Sequence, residues 1–316
     1  MKRGISVGII ITRRCNAHCI HCCFESTPKC SEEIPTETLM QIAHEVASNP
    51  IVQTVGISGG EAMLRKQVVL NMIKIVTAQG KKATLTSNGF WGITPRSARE
   101  AILELKQAGL AYLTISHDSF HSPFINKARV ENIIKACDEL NLECCINCAT
   151  TKSNPLDSSI LSIKKKYPQV TIREFPVTPV GAATNLPESE LYRSSLPISE
   201  LNCPSFEPTF HYDGYIYPCC SPAVFGTSLK IGTVDGTPFE EALKTITYNS
   251  YFSVIRHEGF GWIYNLAISR GLIPRLEDSI VTDACSVCRA LTLTPHVLQS
   301  LANDITSRAK FLMQQS

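Results

Sequence analysis

Short apolar runs alternate with longer amphipathic segments through the first half of the chain, and this alternation constrains the fold most strongly. Runs rich in β-branched and apolar residues predict strands at residues 5–11, 54–57, 83–86, 112–115, 144–149 and 170–175. Helical spacing predicts helices at 36–48, 67–79, 95–108, 125–140 and 158–166, several of them opened by Ser, Thr or Pro. Strands separated by helices favour parallel pairing, so the sequence predicts an α/β fold with a parallel, barrel-like sheet.

The pattern changes after about residue 181. Residues 187–202 have the composition of a linker, and the segment beyond them carries cysteines instead of regular β/α units. A chain of 316 residues can bury one large core and a smaller appended one. We therefore expect one domain over residues 1–186 and a second over residues 187–316.

Charge and hydropathy exclude several function classes. The net charge of +2 and the 18% of charged residues give no electrostatic basis for binding nucleic acid or a membrane surface. No apolar segment approaches the about 18 residues that span a bilayer. The run at 5–11 ends in Thr12-Arg13-Arg14 without a cleavage site, which predicts a strand and not a signal peptide. With 14 cysteines and no export signal, we expect a cytoplasmic protein whose thiols serve metal or redox chemistry.

Three cysteines follow the first predicted strand at C-x3-C-x2-C spacing, namely Cys15, Cys19 and Cys22. Three thiolates on one loop can bind three irons of a 4Fe-4S cluster and leave the fourth iron open to another ligand. Zinc is the alternative, but no C-x2-C partner lies at the usual distance for a zinc knuckle. Cys23 could replace Cys22 as a ligand, although the spacing favours Cys22.

This motif resembles the signature of the radical S-adenosylmethionine (SAM) superfamily, and Ser58-Gly59-Gly60-Glu61 follows the second predicted strand as in that family. The resemblance implies a partial (β/α)6 TIM-like barrel with SAM on the open iron. Glycines permit close backbone approach, and a carboxylate can accept a charge-assisted hydrogen bond from the methionine ammonium. Cofactor contacts at the strand ends are implied for Gly59, Gly60, Glu61, Ser87, Asn88, Ser116 and Asp118. We do not expect His21 to bind metal.

A second set of cysteines lies in the C-terminal segment, at Cys203, Cys219, Cys285 and Cys288. Alternating apolar runs around Asp213-Gly214 predict a β-hairpin that brings the first two together. The C-x2-C pair supplies two further thiolates, so the four could close a metal site completely. Zinc ribbons and auxiliary iron–sulfur clusters both use such sets. The segment resembles the small auxiliary-cluster domain, called a twitch domain, of peptide-modifying radical SAM enzymes.

Cys220 directly follows Cys219. Neighbouring residues of a strand point to opposite faces, so one thiol is left over if the other binds a metal. The leftover thiol could pack as a small hydrophobic group, as we expect for Cys137, Cys144, Cys145 and Cys148. Alternatively, it could face a substrate and donate a hydrogen atom.

The strings SNGFWG at residues 87–92 and YPCCSPA at 217–223 resemble the radical SAM peptide epimerases of epipeptide biosynthesis, and the match spans nearly the whole chain. The resemblance implies that a 5′-deoxyadenosyl radical removes a Cα hydrogen from a ribosomally made precursor peptide. Cys220 would return hydrogen from the opposite face, which converts an L-residue to a D-residue. Cys219 would bind an auxiliary 4Fe-4S cluster, the second of two, and Glu207 stands near a position where the family has aspartate. An electron donor such as flavodoxin or ferredoxin is implied.

Two other functions fit the same cysteines. A radical SAM synthase of thioether or carbon crosslinks would lower the peptide mass by two hydrogens, whereas epimerisation leaves the mass unchanged. A non-enzymatic iron or zinc protein, used for electron transfer or regulation, would not cleave SAM. Because the first predicted strand starts almost at Met1, we expect the barrel mouth or the C-terminal region to capture a peptide substrate.

Overall fold

The computed structural model describes residues 4–156, 158–203, 206–276 and 281–315. The chain forms two compact units. The first comprises Met1–Glu190 with Thr209–Gly214, and the second comprises Leu191–Pro208 with Tyr215–Ser316. Within the described ranges, no helix is both long enough and apolar enough to cross a membrane.

The strands of the first unit pair in parallel throughout. They are β1 Ile5–Ile10, β2 Val52–Ser58, β3 Lys82–Ser87, β4 Leu110–Ser116, β5 Glu143–Thr150, β6 Thr171–Pro176 and β7 Thr209–His211. Their order across the sheet is β6-β5-β4-β3-β2-β1-β7. The α/β fold with a parallel sheet is therefore confirmed, and the ends of the six predicted strands differ from the observed ones by at most two residues. The sequence predicted the extended run that contains β7 as one arm of the Asp213-Gly214 hairpin, but not its parallel pairing with β1, because pairing between strands so distant in the chain leaves no local signature.

Five helices connect the successive strands of this sheet. They are α1 Thr36–Ser48, α2 Lys66–Ala78, α3 Pro95–Ala108, α4 Lys127–Glu139 and α5 Ser158–Lys166. The residues that start α3 are identifiable. Thr94 and Ser97 form a reciprocal capping box, and Pro95 lies between them in the first turn. Gly109 ends α3 in the left-handed conformation, with φ 101°, which a glycine adopts without steric cost.

The two faces of the sheet differ in character. Register pairing aligns Ile9, Ile57, Leu85 and Leu113 across β1 to β4, and each is at most 1% exposed. The next row on the opposite face is Gly8, Gly56, Thr84 and Tyr112, all half-buried. The apolar face thus forms the core of the unit, whereas the other face is lined by small and polar groups, as expected for the interior of an open barrel.

The second unit is mainly helical. A short antiparallel pair joins β8 Tyr215–Tyr217 to β9 Gly232–Thr233. The helices are α6 Phe239–Tyr248, α7 Ser250–His257, α8 Gly261–Ser269, α9 Ala284–Thr292, α10 Pro295–Ser300 and α11 Ala302–Gln315. The predicted Asp213-Gly214 turn lies between β7 and β8. Gly214 adopts φ 88°, and its N–H donates to His211 O at 3.0 Å.

Candidate functional site

The loop after β1 carries Cys15, Cys19 and Cys22. The Cys22 N–H donates to Cys19 O at 3.0 Å, which folds the loop into a tight turn. The Ala17 N–H lies 3.4 Å from Cys15 Sγ, and the Ser26 N–H lies 3.4 Å from Cys22 Sγ. Backbone donors aimed at sulfur stabilise thiolate ligands of iron–sulfur clusters, so the loop geometry suits such a cluster.

Burial raises the pKa of the Cys15 and Cys19 thiols to about 12. The charge of Cys22 further raises the pKa of both thiols. The Cys15 and Cys19 thiols are therefore protonated at neutral pH when no cation is present. A metal centre would displace these protons on binding, as cysteine ligands require.

Gly59 and Gly60 allow the end of β2 to approach the cysteine loop. A Cβ on Gly60 would lie 2.3 Å from Arg13 O and 2.5 Å from Arg14 O. The Gly60 N–H donates to Thr12 O at 2.6 Å. The sequence suggested that the glycines make room for a ligand, but the nearest atoms to them here are backbone oxygens of Thr12, Arg13 and Arg14, which lead into the cysteine loop. The absent side chains of the glycines therefore position the loop.

Glu61 is the centre of a buried network at the ends of β2 and β3, with 1% of its surface exposed. Its Oε1 accepts hydrogen bonds from the Met63 N–H at 2.9 Å and the Ser87 hydroxyl at 2.8 Å, and its Oε2 accepts from the Asn88 N–H at 2.7 Å. Burial raises the pKa of this carboxyl above its usual value despite these donors. A ligand ammonium beside Glu61 would offset the cost of the buried charge.

Asn88 connects this network to the first cysteine. Its Nδ2 donates to Asn16 Oδ1 at 3.0 Å and lies 3.6 Å from Cys15 Sγ. The Ser87 hydroxyl also accepts from the Trp91 indole N–H at 3.0 Å. The predicted residues Glu61, Ser87 and Asn88 thus form one connected unit with Cys15, and each polar group in it already has a protein partner.

Asp118 lies just beyond β4, and Ser116 is the last residue of that strand. Asp118 Oδ1 accepts from the Phe120 N–H at 2.9 Å and lies 2.8 Å from His121 Nδ1, while Oδ2 accepts from the Ala149 N–H at 2.9 Å. Burial disfavours ionisation of Asp118, but the hydrogen bond and charge of His121 outweigh it and lower the pKa to about 2. The carboxylate therefore organises the β4 loop and orients His121.

The sequence did not single out His121, which lies beside His21. Their ring centroids are 5.0 Å apart, and His21 stacks on Phe120 at 4.7 Å. Ligand atoms of His21, Asp118 and His121 lie within 4.8 Å of one another. Burial, with the nearby His121, lowers the pKa of His21 to about 4. Only the spacing of His121 after a strand-end aspartate could have indicated this cluster from the sequence.

In the second unit, Cys203, Cys219, Cys285 and Cys288 line one small cavity. Cys285 and Cys288 are one turn apart on α9 and so share a helix face. Asp283 fixes the start of α9 by accepting from the Ser286 N–H at 2.9 Å. Burial raises the pKa of Cys219 and of Cys288 to about 12. The four predicted ligands are thus brought together from three separate segments of chain.

Cys219 and Cys220 do not lie on a strand, because β8 ends at Tyr217 and the chain bends through both cysteines. The strand-alternation argument for separating the two thiols was therefore wrong. The bend separates them instead: Cys219 lines the four-cysteine cavity, whereas Cys220 Sγ donates to Glu207 Oε2 at 3.2 Å.

Cys220 is exposed as a residue, yet its thiol is partly desolvated and contacts Glu207. This local burial and the negative charge and hydrogen bond of Glu207 raise the pKa of the thiol to about 12. The S–H form therefore predominates at neutral pH, as a hydrogen-atom donor requires.

Of the four other thiols that were expected to pack as small hydrophobic groups, three are buried and one is half-buried. Cys137, Cys145 and Cys148 are at most 1% exposed, and Cys144 is half-buried. Cys148 Sγ donates to His117 O at 3.1 Å.

The part of the chain that contains the cysteine loop matches a known protein family. The model described as Radical SAM superfamily matches residues 9–150. A protein of Bacillus subtilis (strain 168) named "Putative peptide biosynthesis protein YydG" is 30% identical over 291 residues, which cover 90% of this chain and 91% of that protein. A protein of Methanothermobacter marburgensis named "Probable GTP 3',8-cyclase" is 30% identical over 115 residues, which cover 36% of this chain and 35% of that protein.

Solved structures show the same architecture. Streptococcus suis SuiB, in its structure bound to the precursor peptide SuiA, matches with a TM-score of 0.57 at 14% identity, covering 81% of this chain and 67% of that chain. At this low identity the similarity concerns the fold alone.

Proposed function

This chain belongs to the radical SAM superfamily, and we propose that it is a peptide epimerase that converts L-residues of a ribosomally made peptide to D-residues. Membership implies that the protein uses SAM and a 4Fe-4S cluster. Similarity over most of the chain to a protein named for peptide biosynthesis supports a peptide as substrate. The observation that carries the reaction type is the contact of Cys220 with Glu207, next to a cysteine that lines the four-cysteine cavity.

Cys15, Cys19 and Cys22 would hold the first cluster. When bound, the cluster and SAM supply the radical chemistry that removes a hydrogen atom from Cα. Asn88 would hold the Cys15 side of the loop in place, and Glu61 would offer its buried negative charge to the methionine ammonium. The close fit of Gly60 against the loop backbone would keep Glu61 in a fixed position relative to the cysteine loop.

Cys220 would complete the reaction. A Cα radical is nearly planar, so the face that receives hydrogen decides the configuration of the product. The Cys220 S–H bond breaks, a Cα–H bond forms, and a sulfur-centred radical remains on Cys220. One electron and one proton restore the thiol. Glu207 lies 3.2 Å from Sγ and is therefore placed to return the proton.

The cysteines at 203, 219, 285 and 288 would hold a second 4Fe-4S cluster. Because Cys219 precedes Cys220, metal binding there would fix the bend that carries the donor thiol. An electron donor such as flavodoxin or ferredoxin would supply the electrons that the cycle consumes. Zinc bound to the same four thiolates would fix the bend equally well but carry no electrons, so metal analysis separates the two.

The test first searches beside the gene for a short reading frame that encodes a precursor peptide, and then incubates a synthetic copy of that peptide with the anaerobically reconstituted enzyme, SAM and a reductant. We expect D-residues on chiral amino-acid analysis of the hydrolysed product, with the peptide mass unchanged in ordinary water. A loss of two mass units would favour crosslink formation instead. An unchanged peptide with all residues in the L-configuration would contradict the proposal.

A further inference from the structure

Among the strands of the described residues, β6 lies at the end of the sheet and pairs with β5 alone. The Val177 N–H donates to Thr150 O on β5 at 3.0 Å. Alternate residues of a parallel strand bond to the same neighbour, so Thr171, Arg173 and Phe175 direct their backbone groups to β5. Ile172 and Glu174 direct theirs the other way, and no described residue pairs with them.

This edge is open to solvent. Every residue of β6 except the half-buried Ile172 is exposed, and Phe175 is 43% exposed. Proteins commonly protect such edges by covering them, shortening them or adding proline and charge. The strand β6 carries the charged side chains of Arg173 and Glu174 and ends in Pro176, which lacks an N–H, but no described residue covers its outward backbone groups. The backbone N–H and C=O groups of Ile172 and Glu174 therefore offer the hydrogen-bonding pattern that another extended chain requires.

The side chains of β6 add a chemical preference. Arg173 Nη2 donates to the Tyr112 hydroxyl at 3.4 Å, and its guanidinium lies 5.4 Å from the Tyr112 ring centroid. Among the described residues, no carboxylate forms an ion pair with Arg173. Phe175 projects from the same face two residues later. A strand added here would be favoured by an acidic side chain beside Arg173 and an apolar one beside Phe175.

We propose that an extended segment of the peptide substrate adds as a strand to the free edge of β6. The proposal rests on the proposed function, since it needs a peptide substrate. The outward groups from Ile172 to Pro176 match a segment of about five residues. In a parallel sheet the carboxyl ends of the strands lie along one edge, so the end of β6 lies along the same edge as the Cys15 loop. A peptide paired with β6 is thereby led towards the radical-generating site.

In the test, the synthetic precursor peptide carries a fluorescein label, and fluorescence anisotropy measures its binding to the reconstituted holoenzyme. Glu174→Pro removes an outward N–H at an edge position, where proline is tolerated. Glu174→Ala is the matched control, because it removes the charge but keeps the N–H. We expect at least tenfold weaker peptide binding for Glu174→Pro and a change within twofold for Glu174→Ala, with SAM binding unchanged in both.

Hydrogen–deuterium exchange on the unaltered enzyme gives a second measurement that does not depend on how the proline variant folds. The peptide should slow exchange of the Ile172 and Glu174 amides. Equal binding by Glu174→Pro and the parent, unprotected amides, or no binding of the peptide by the parent would each overturn the proposal. A bound peptide with protected amides but no D-residues would uphold it and contradict the epimerase assignment.

Discussion

The Cys220 thiol donates a hydrogen bond to Glu207, with Sγ 3.2 Å from Oε2. The preceding cysteine, Cys219, lines the cavity shared with three other cysteines. Two adjacent thiols therefore have different surroundings, one among prospective metal ligands and one beside a carboxylate. This division supports separate roles for them, an anchor and a hydrogen-atom donor.

Glu207→Gln should slow repeated turnover more than the first turnover. The amide keeps the shape of the side chain but is a far weaker proton donor, so restoring the Cys220 thiol should become slow. We expect the D-residue yield of a single turnover to be close to that of the parent and the steady-state rate to fall at least tenfold. Rapid-quench measurement of both phases, followed by chiral analysis, tests this, and an unchanged steady-state rate would contradict it.

Replacing Cys15, Cys19 and Cys22 together with alanine should remove one cluster and all SAM cleavage. The four cysteines of the second unit do not depend on that loop for their ligand set, so their metal should stay bound. Iron and sulfide analysis should show half of the parent's content. Loss of all iron, or zinc at both sites in the parent, would contradict the division of the cysteines into these two sets.

Gly60→Ala should impair binding of the first cluster. The new Cβ would meet two backbone carbonyls at 2.3 and 2.5 Å, and a rigid backbone cannot give way as a side chain can. Gly56→Ala is the control, because its Cβ would meet nothing nearer than Thr84 Oγ1 at 3.4 Å. We expect reduced iron in the first site for Gly60→Ala only. Equal iron content in both variants would show that the cysteine loop tolerates the displacement.

Glu61→Ala should destabilise the first unit as well as weaken SAM binding. The substitution leaves the Met63 and Asn88 N–H groups and the Ser87 hydroxyl without their acceptor in a buried place. Each lost partner costs about 1 to 3 kcal/mol, so we expect the free energy of unfolding to fall by at least about 2 kcal/mol. Denaturant unfolding of the cluster-free protein measures this, and an unchanged value would show that these donors find other partners.

The sheet was predictable because its determinants are local. Buried residues such as Ile57 and Leu113 recur with strand spacing, and Thr94 with Pro95 marks the start of α3. In contrast, the parallel pairing of β7 with the distant β1 was not predicted. No short pattern in the sequence contains such information.

The sequence predicted which residues form the candidate site, but it predicted their arrangement only in part. The cysteine spacings indicated two sets, yet the bend at Cys219 and Cys220 replaced the expected strand. The crowding of Gly60 by backbone atoms and the pairing of Asp118 with His121 depend on how separate loops pack. Such contacts arise only in the folded unit.

The most direct test of the account is deuterium incorporation by Cys220→Ala. The parent in deuterated water should place one deuterium at Cα of each inverted residue, because a thiol exchanges with solvent before it donates. Cys220→Ala should still produce 5′-deoxyadenosine and keep its iron but give little D-residue, whereas Cys30→Ala, a thiol outside both sets, should match the parent. Full epimerisation with deuterium at Cα in Cys220→Ala would contradict the assignment of Cys220 as the donor.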